Sequence, residues 1–142
     1  TEIVLAAVQR AGVRAVLATG WGGLRPEALP PGVFRLEQAP HASLFPRMAA
    51  VVHHGGAGTT GAGLRAGKPS VICPFGVDQP FWGARVHALG AGPAPIPQRR
   101  LAVEPLAAAL RQAVHDPAMR ERAAALGRTI RAEDGVGVAL DW

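Results

Sequence analysis

The 142-residue sequence predicts an α/β domain with a mainly parallel, doubly wound sheet. Short apolar runs alternate with segments of helical periodicity, which is typical of βαβ units. A glycine-rich loop, Val51 to Gly63, joins a predicted strand to a predicted helix. The composition is globular, because 49% of the residues are apolar and 18% are charged. We therefore expect residues 1–142 to form one domain that binds its ligand at the carboxyl ends of the strands.

The first half of the chain predicts one long helix, a helical turn and three strands. Val4, Ala7, Val8 and Ala11 share one helical face, and Gly12 suits the left-handed position that ends a helix. Prolines exclude helix from the loop before the second strand. In chain order the predicted elements are a helix over 2–11, a strand over 15–18, a turn over 20–23, a loop over 26–31, a strand over 33–36, a helical turn over 41–45 and a strand over 50–53.

In the second half of the chain, Gly67, Pro74 and Gly90 mark the ends of elements. Asp116 and Pro117 separate two amphipathic helices, because Asp caps a helix and Pro opens one. In chain order the predicted elements are a helix over 59–66, a strand over 71–73, a helix over 81–89, an extended segment over 92–97 and helices covering 103–114 and 119–130.

The residues from Gly56 to Gly61 spell GxGxxG, the fingerprint of a dinucleotide site. Small residues between a strand and a helix let backbone amides approach an anion, and the helix N-terminus carries about half a positive charge. A nucleoside triphosphate loop is excluded because Ala62 follows where Lys is required. NAD is disfavoured because the next strand ends at Cys73 and Pro74, without the acid that binds the ribose. The loop therefore predicts a different phosphate-bearing ligand.

Two histidines precede this loop. His54 stands at the end of the predicted strand, and we interpret it as a donor to a phosphate or to a leaving oxygen. We interpret His53 as a packed strand end with no ligand.

Asp78 and Gln79 follow the next strand, at the same predicted edge of the sheet. A carboxylate beside a carboxamide can accept from and donate to vicinal hydroxyls, as sugar binding requires. The alternative that Asp78 merely caps the following helix stays open, and the two roles are compatible. Phe81 and Trp82 are predicted to anchor the core.

The charge pattern and the single cysteine bear on partners and location. The net charge is +5, but the fourteen arginines are scattered and there is no tyrosine, so we expect no nucleic-acid partner. The four aspartates, at 78, 116, 134 and 141, form no DxD pair, so no metal site is predicted. With Cys73 alone, no signal peptide and no apolar run of about 20 residues, we expect a cytoplasmic protein with no transmembrane segment. The high Arg, Ala, Gly and Pro content indicates a GC-rich bacterial source.

Several spaced motifs together resemble one protein family. In order they are HHGGAGTT, PFGVDQPFWG, Arg85-Val86-His87 and GAGPAPIP. They resemble the donor-binding, C-terminal half of two-domain GT-B glycosyltransferases, in particular sterol glucosyltransferases and bacterial antibiotic or macrolide glycosyltransferases. The resemblance implies a Rossmann-like half of a GT-B fold. It also implies that this sequence lacks the first, central strand, because the chain starts at the first helix.

The resemblance implies a set of site residues. Gln38 and His41 stand where plant relatives have Trp and Gln, Ala62 stands where they have a ribose-binding Glu, and Gly76-Val77 differs from the PFFGDQ of sterol-type members. The implied contacts are His54, Gly56, Ala57, Gly58, Thr59 and Thr60 for the donor diphosphate, Asp78 and Gln79 for the sugar, and Trp21, Gln38, Ala39 and His41 for the nucleoside.

The resemblance also implies the reaction. A hexose passes with inversion from UDP-glucose or a dTDP-sugar to a hydroxyl of a lipophilic acceptor, such as a sterol or polyketide, without metal or cofactor. The general base and acceptor pocket belong to an N-terminal domain, so we expect no catalytic residue in this chain, which binds donor without transferring it. A lipid acceptor would place the protein at the membrane periphery. The alternatives are a donor-binding subunit whose partner chain completes the sheet and acceptor site, and a non-enzymatic dinucleotide-binding module.

Overall fold

The computed structural model describes residues 1–19 and 28–142. Its helices and strands, with two single turns of 3-10 helix at Phe45–Arg47 and Gln98–Arg100, follow one another in the predicted order. They are α1 (Glu2–Ala11), β1 (Ala15–Ala18), β2 (Val33–Leu36), α2 (His41–Leu44), β3 (Val51–His53), α3 (Ala57–Arg65), β4 (Ser70–Ile72), α4 (Gln79–Ala88), α5 (Val103–His115), α6 (Pro117–Ala132) and α7 (Gly135–Leu140).

The strands are parallel, as predicted, but they form two pairs within the described ranges. β1 pairs with β2, with Ala15 opposite Val33, and β3 pairs with β4, with Val51 opposite Ser70. The other edge of β4 is bonded to the extended segment that follows α4, because the Ile96 N–H donates to the Ile72 carbonyl at 2.9 Å. The single predicted sheet is therefore present as two halves.

Helices pack on both faces of the strands. Val71 and Cys73 contribute to an apolar cluster with α1 and α5, which also includes Leu17 from β1 and Val33 from β2. Ile72, which points to the opposite face, contributes to a second cluster with residues of α3, α4 and α6. Alternate residues of β4 thus serve two cores, which defines a doubly wound arrangement.

Local sequence signals account for several element boundaries. α1 ends at Gly12, whose φ is +68°, as predicted. Asp116 caps α6, because its Oδ1 accepts from the amides of Ala118 (3.0 Å) and Met119 (3.2 Å), again as predicted. α7, which the sequence did not predict, is capped by Asp134, whose carboxylate accepts from the amide of Gly137 at 2.8 Å.

Several predictions differ from the structure or fall outside it. α4 begins at Gln79, two residues before its predicted start. α3 begins at Ala57, two residues before its predicted start, because Gly56 already accepts the first bond of the helix. Phe81 is wrongly predicted as a core residue, since 61% of its surface is exposed. The turn over 20–23, with Trp21, and most of the loop over 26–31 lie outside the described residues.

Candidate functional site

The glycine loop between β3 and α3 packs directly against the segment that follows β4. Gly55 is buried with a φ of +96°, a conformation that glycine adopts without strain. A Cβ on Gly55 would lie 2.7 Å from Ile72 Cγ2 and 3.2 Å from the Gln79 carbonyl oxygen. Only glycine therefore allows this approach, which brings the glycine loop and the Asp78-Gln79 pair together, as the sequence predicts.

The N-terminus of α3 presents backbone donors beside this contact. The first bond of the helix runs from the Thr60 amide to the Gly56 carbonyl at 2.9 Å. The amides of Ala57, Gly58 and Thr59 precede it and have no acceptor within the helix. A Cβ on Gly58 would meet nothing within 4 Å, so a ligand has room there. The helix start can therefore hold an anion.

His54 lies over this helix start. Its ring is exposed, and a Cβ on Gly56 would lie only 2.6 Å from its Nε2. The ring is tilted against Phe75, with the centroids 5.9 Å apart. The glycine at position 56 thus allows an imidazole nitrogen to sit beside the amides of α3.

His53 has a different environment. Its Nδ1 accepts a hydrogen bond from the Gly55 amide at 3.0 Å. Burial lowers the pKa of His53 to about 4, with smaller effects from His54 and His41. The ring is therefore neutral at pH 7, with its proton on Nε2, and that atom has no polar partner among the described residues. His53 supports the turn at Gly55, and its packing matches the interpretation of a strand end.

Gln79 holds the loop that precedes it. Its side chain is buried, and Oε1 accepts from the amides of Phe75 (2.9 Å) and Gly76 (3.3 Å). These bonds leave the carboxamide NH2 as the group of Gln79 that can still donate to a ligand.

Asp78 is exposed, and its Oδ2 accepts from the indole N–H of Trp82 at 2.9 Å. Its side chain makes no capping bond to the amides of α4, so the capping alternative is not realised. The Trp82 bond fixes one oxygen and leaves Oδ1 to accept from a ligand hydroxyl. The sequence interpretation missed this pair, although the i, i+4 spacing on one helix could have indicated it.

The remaining predicted site residues differ in exposure and in their distance along the chain from the glycine loop. Gln38 is exposed and Ala39 is partly buried, while His41 stacks on Phe45 with ring centroids 4.4 Å apart. Gln38 and Ala39 precede α2 and His41 begins it, and α2 contacts α3, the helix that follows the glycine loop. Thr59 is partly exposed. Thr60 is fully buried, and its amide is bonded within the helix, so the structure does not bring it to the ligand side.

The polar groups that this surface offers a ligand are backbone amides, the His54 imidazole, the Asp78 carboxylate and the Gln79 carboxamide NH2. No cluster of three His, Cys, Asp or Glu that could hold a metal ion occurs within residues 1–19 and 28–142. In the same ranges, no helix has both the length and the apolar character needed to cross a membrane. The site as described is thus suited to an anion that carries hydroxyl groups.

Parallel strands with helices on both faces, and an anion-binding helix start at a strand end, define a Rossmann-like α/β domain. The chain belongs to the family of erythromycin biosynthesis protein CIII-like C-terminal domains, whose model matches residues 3–135. The resemblance drawn from the motifs is therefore confirmed.

Known proteins with similar sequence and structure are glycosyltransferases. The sterol 3-beta-glucosyltransferase UGT80A2 of Arabidopsis thaliana is 47% identical over 141 residues, which cover 99% of this chain and 22% of that protein. The solved glycotransferase of kitacinnamycin superposes with a TM-score of 0.84 at 29% identity, covering 99% of this chain and 38% of that one. The glycosyltransferase VinC, solved in complex with dTDP, has a TM-score of 0.68 at 30% identity, covering 75% and 27%. This chain thus corresponds to the C-terminal half of a GT-B fold and spans about a fifth of the plant relative.

Proposed function

We propose that this chain is the donor-binding part of a glycosyltransferase and binds a nucleotide sugar. The diphosphate lies at the start of α3 beside His54, and the sugar hydroxyls contact Asp78 and Gln79. The observation that carries this proposal is the close packing of Gly55 on Ile72 and Gln79, because it joins an anion site to a hydroxyl site. The similarity to sterol glucosyltransferases and to a dTDP-bound glycosyltransferase supports the same ligand class.

The reaction that we propose is an inverting displacement. An acceptor hydroxyl oxygen forms a bond to the anomeric carbon while the bond from that carbon to the diphosphate oxygen breaks. The electron pair stays on the diphosphate, and the hydroxyl proton passes to a base that we place in the acceptor-binding part of the enzyme. The amides of α3 and His54 stabilise the growing charge of the leaving group, and a donor of this kind is worth about 3 kcal/mol. No step of this reaction uses a metal ion or a cofactor.

The acceptor that we propose is a lipophilic alcohol, in keeping with the sterol-modifying relatives. The donor is a UDP- or dTDP-sugar. The acceptor-binding part is either another region of the same polypeptide or a partner chain, which would also complete the divided sheet.

Calorimetry with UDP, dTDP, GDP and NAD tests the donor class. We expect UDP or dTDP to bind and to raise the melting temperature, because a ligand that favours the native state stabilises it. Preferential binding of NAD would overturn the proposal in favour of a dinucleotide-binding module.

His54→Ala tests the position of the diphosphate. We expect a loss of about tenfold or more in UDP affinity, because a charge-assisted hydrogen bond contributes about 1.5–3 kcal/mol. His115→Ala, at the exposed end of α5, is the matched control and should bind UDP like wild type. Equal UDP affinity in both variants would contradict the assignment of His54.

A further inference from the structure

The loop between β4 and α4 and the first turn of α4 carry apolar side chains that a sugar or diphosphate does not require. Phe75, Val77 and Phe81 expose 67%, 93% and 61% of their surfaces. We call these three residues the apolar rim. Isolated exposed apolar residues are ordinary, but three within seven positions beside a polar site indicate a contact surface.

Val77 has an unusual backbone conformation within this rim. Its φ is +58°, and among the described residues it is the one non-glycine residue with a positive φ. Gly76 accepts from the Gln79 amide at 3.2 Å, and Asp78 has φ −85° and ψ −5°, so Val77 occupies the position of a type II′ turn that favours glycine. A β-branched residue there costs about 1–2 kcal/mol.

Packing within the described part of the chain does not offset this cost, because the Val77 side chain is almost fully exposed. Glycine would form the same turn without strain. The strained valine therefore indicates a contact with a bound molecule, because the chain itself gains no packing from this side chain.

Each member of the rim adjoins a polar group of the proposed site. Phe75 lies against His54, Val77 directly precedes Asp78, and Phe81 packs edge-on against Trp82, with centroids 5.0 Å apart. Trp82 in turn donates to Asp78. The anomeric carbon of a bound sugar would lie between its diphosphate at His54 and its hydroxyls at Asp78. An acceptor that reaches this carbon must therefore pass close to the rim.

We propose that Phe75, Val77 and Phe81 form the donor-side wall of the acceptor site and bind the apolar body of a lipophilic alcohol. This inference rests on the proposed function. It makes Val77 a specificity-determining residue, held by the strained turn where it contacts the acceptor. A small polar acceptor would gain nothing from these side chains, so the rim selects for apolar acceptors.

Photo-crosslinking tests the wall. The chain, saturated with UDP, is irradiated with a sterol that carries a diazirine, and the labelled peptides are mapped by mass spectrometry. We expect labelling of residues 75–81, reduced at least fivefold in the double variant Val77→Ser, Phe81→Ser. Phe34→Ser, which removes an exposed aromatic side chain from β2, is the matched control and should be labelled like wild type.

The outcomes separate this inference from the proposed function, because UDP binding is measured on the same samples. If UDP binds and sterol labelling is the same in the double variant as in wild type, the wall is refuted while the donor site stands. If UDP does not bind, both proposals fail. If size-exclusion chromatography shows that the wild-type chain is a dimer and the double variant is a monomer, the rim is an interface between two copies and the inference is wrong.

Discussion

Val77 adopts a backbone conformation that glycine adopts more easily, and this has a measurable consequence for stability. We predict that Val77→Gly raises the free energy of unfolding by up to about 1 kcal/mol, since relief of strain exceeds the entropy that glycine adds to the unfolded chain. Urea denaturation measures the change. Val52→Gly, at an exposed position of β3, is the control and should lower stability. A loss of stability in Val77→Gly would show that the side chain packs after all.

The lowered pKa of His53 leads us to predict that stability depends on pH. Its pKa is about 4 when folded and about 6.5 when unfolded, so between these values the unfolded chain takes up a proton that the folded chain does not. The free energy of unfolding should therefore fall by up to about 3 kcal/mol as the pH decreases from 6.5 to 4, and this contribution levels off below pH 4.

Urea titrations at several pH values measure this effect of His53. His53→Gln should flatten the decrease, whereas His115→Gln, on the exposed end of α5, should retain it. Identical pH profiles for His53→Gln and wild type would contradict a neutral, buried His53.

At the level of elements, the junction of β3 and α3 depends on one glycine. We predict that Gly55→Ala lowers the free energy of unfolding by about 2–4 kcal/mol, because the new methyl group meets Ile72 at 2.7 Å and the φ of +96° strains alanine. UDP affinity should fall with it. Gly61→Ala is the matched control, because a Cβ there meets nothing within 4 Å and alanine favours the helix by about 1 kcal/mol. In thermal unfolding, the melting temperature of Gly55→Ala should thus be lower than that of wild type, and that of Gly61→Ala should be higher.

Most helices and strands were predictable from local sequence signals, but the residues through which they pack were not. Asp116 before Pro117 is sufficient to place the start of α6, since cap and helix are adjacent in sequence. In α4, by contrast, the buried residues are Gln79, Gly83 and Val86, because Pro95 and Ile72 approach Gly83 too closely for a side chain. Phe81 is left on the exposed side.

Some features of the candidate site were likewise predictable from the sequence and others were not. His54, the glycine loop and the Asp78-Gln79 pair were identified from motifs, and the structure brings them together. The burial of Thr60 and the bond from Trp82 to Asp78 depend on how α3 and α4 pack, which no local pattern specifies. The φ of Val77 was not predictable either, because valine rarely adopts it.

At the scale of the whole molecule, the two strand pairs leave some backbone amides, among residues 1–19 and 28–142, pointing away from the strand to which they are paired. In a parallel strand, alternate residues bond to opposite sides. Ala15 and Thr19 donate towards β2 and Val51 donates towards β4, so Val16, Ala18 and Val52 face the other way.

We predict that the amides of Val16, Ala18 and Val52 exchange with deuterium much faster than those of Leu17 and Val51, as measured by NMR. A strand added between the halves, from the same polypeptide or a partner, should slow their exchange and raise the melting temperature. Equal protection of both sets in the chain alone would show that these edges are already covered.

The hydrogen bond between Trp82 and Asp78 gives the molecule an optical property. Indole emission responds to the polarity and hydrogen bonding around its N–H, and here that group is bonded to the carboxylate proposed to bind the sugar. With only two other tryptophans, Trp21 and Trp142, the chain carries a built-in fluorophore at the place where a sugar would arrive. In a Trp21→Phe variant, which lacks the tryptophan assigned to the nucleoside, we therefore expect UDP-glucose to shift the Trp82 emission and UDP to leave it unchanged.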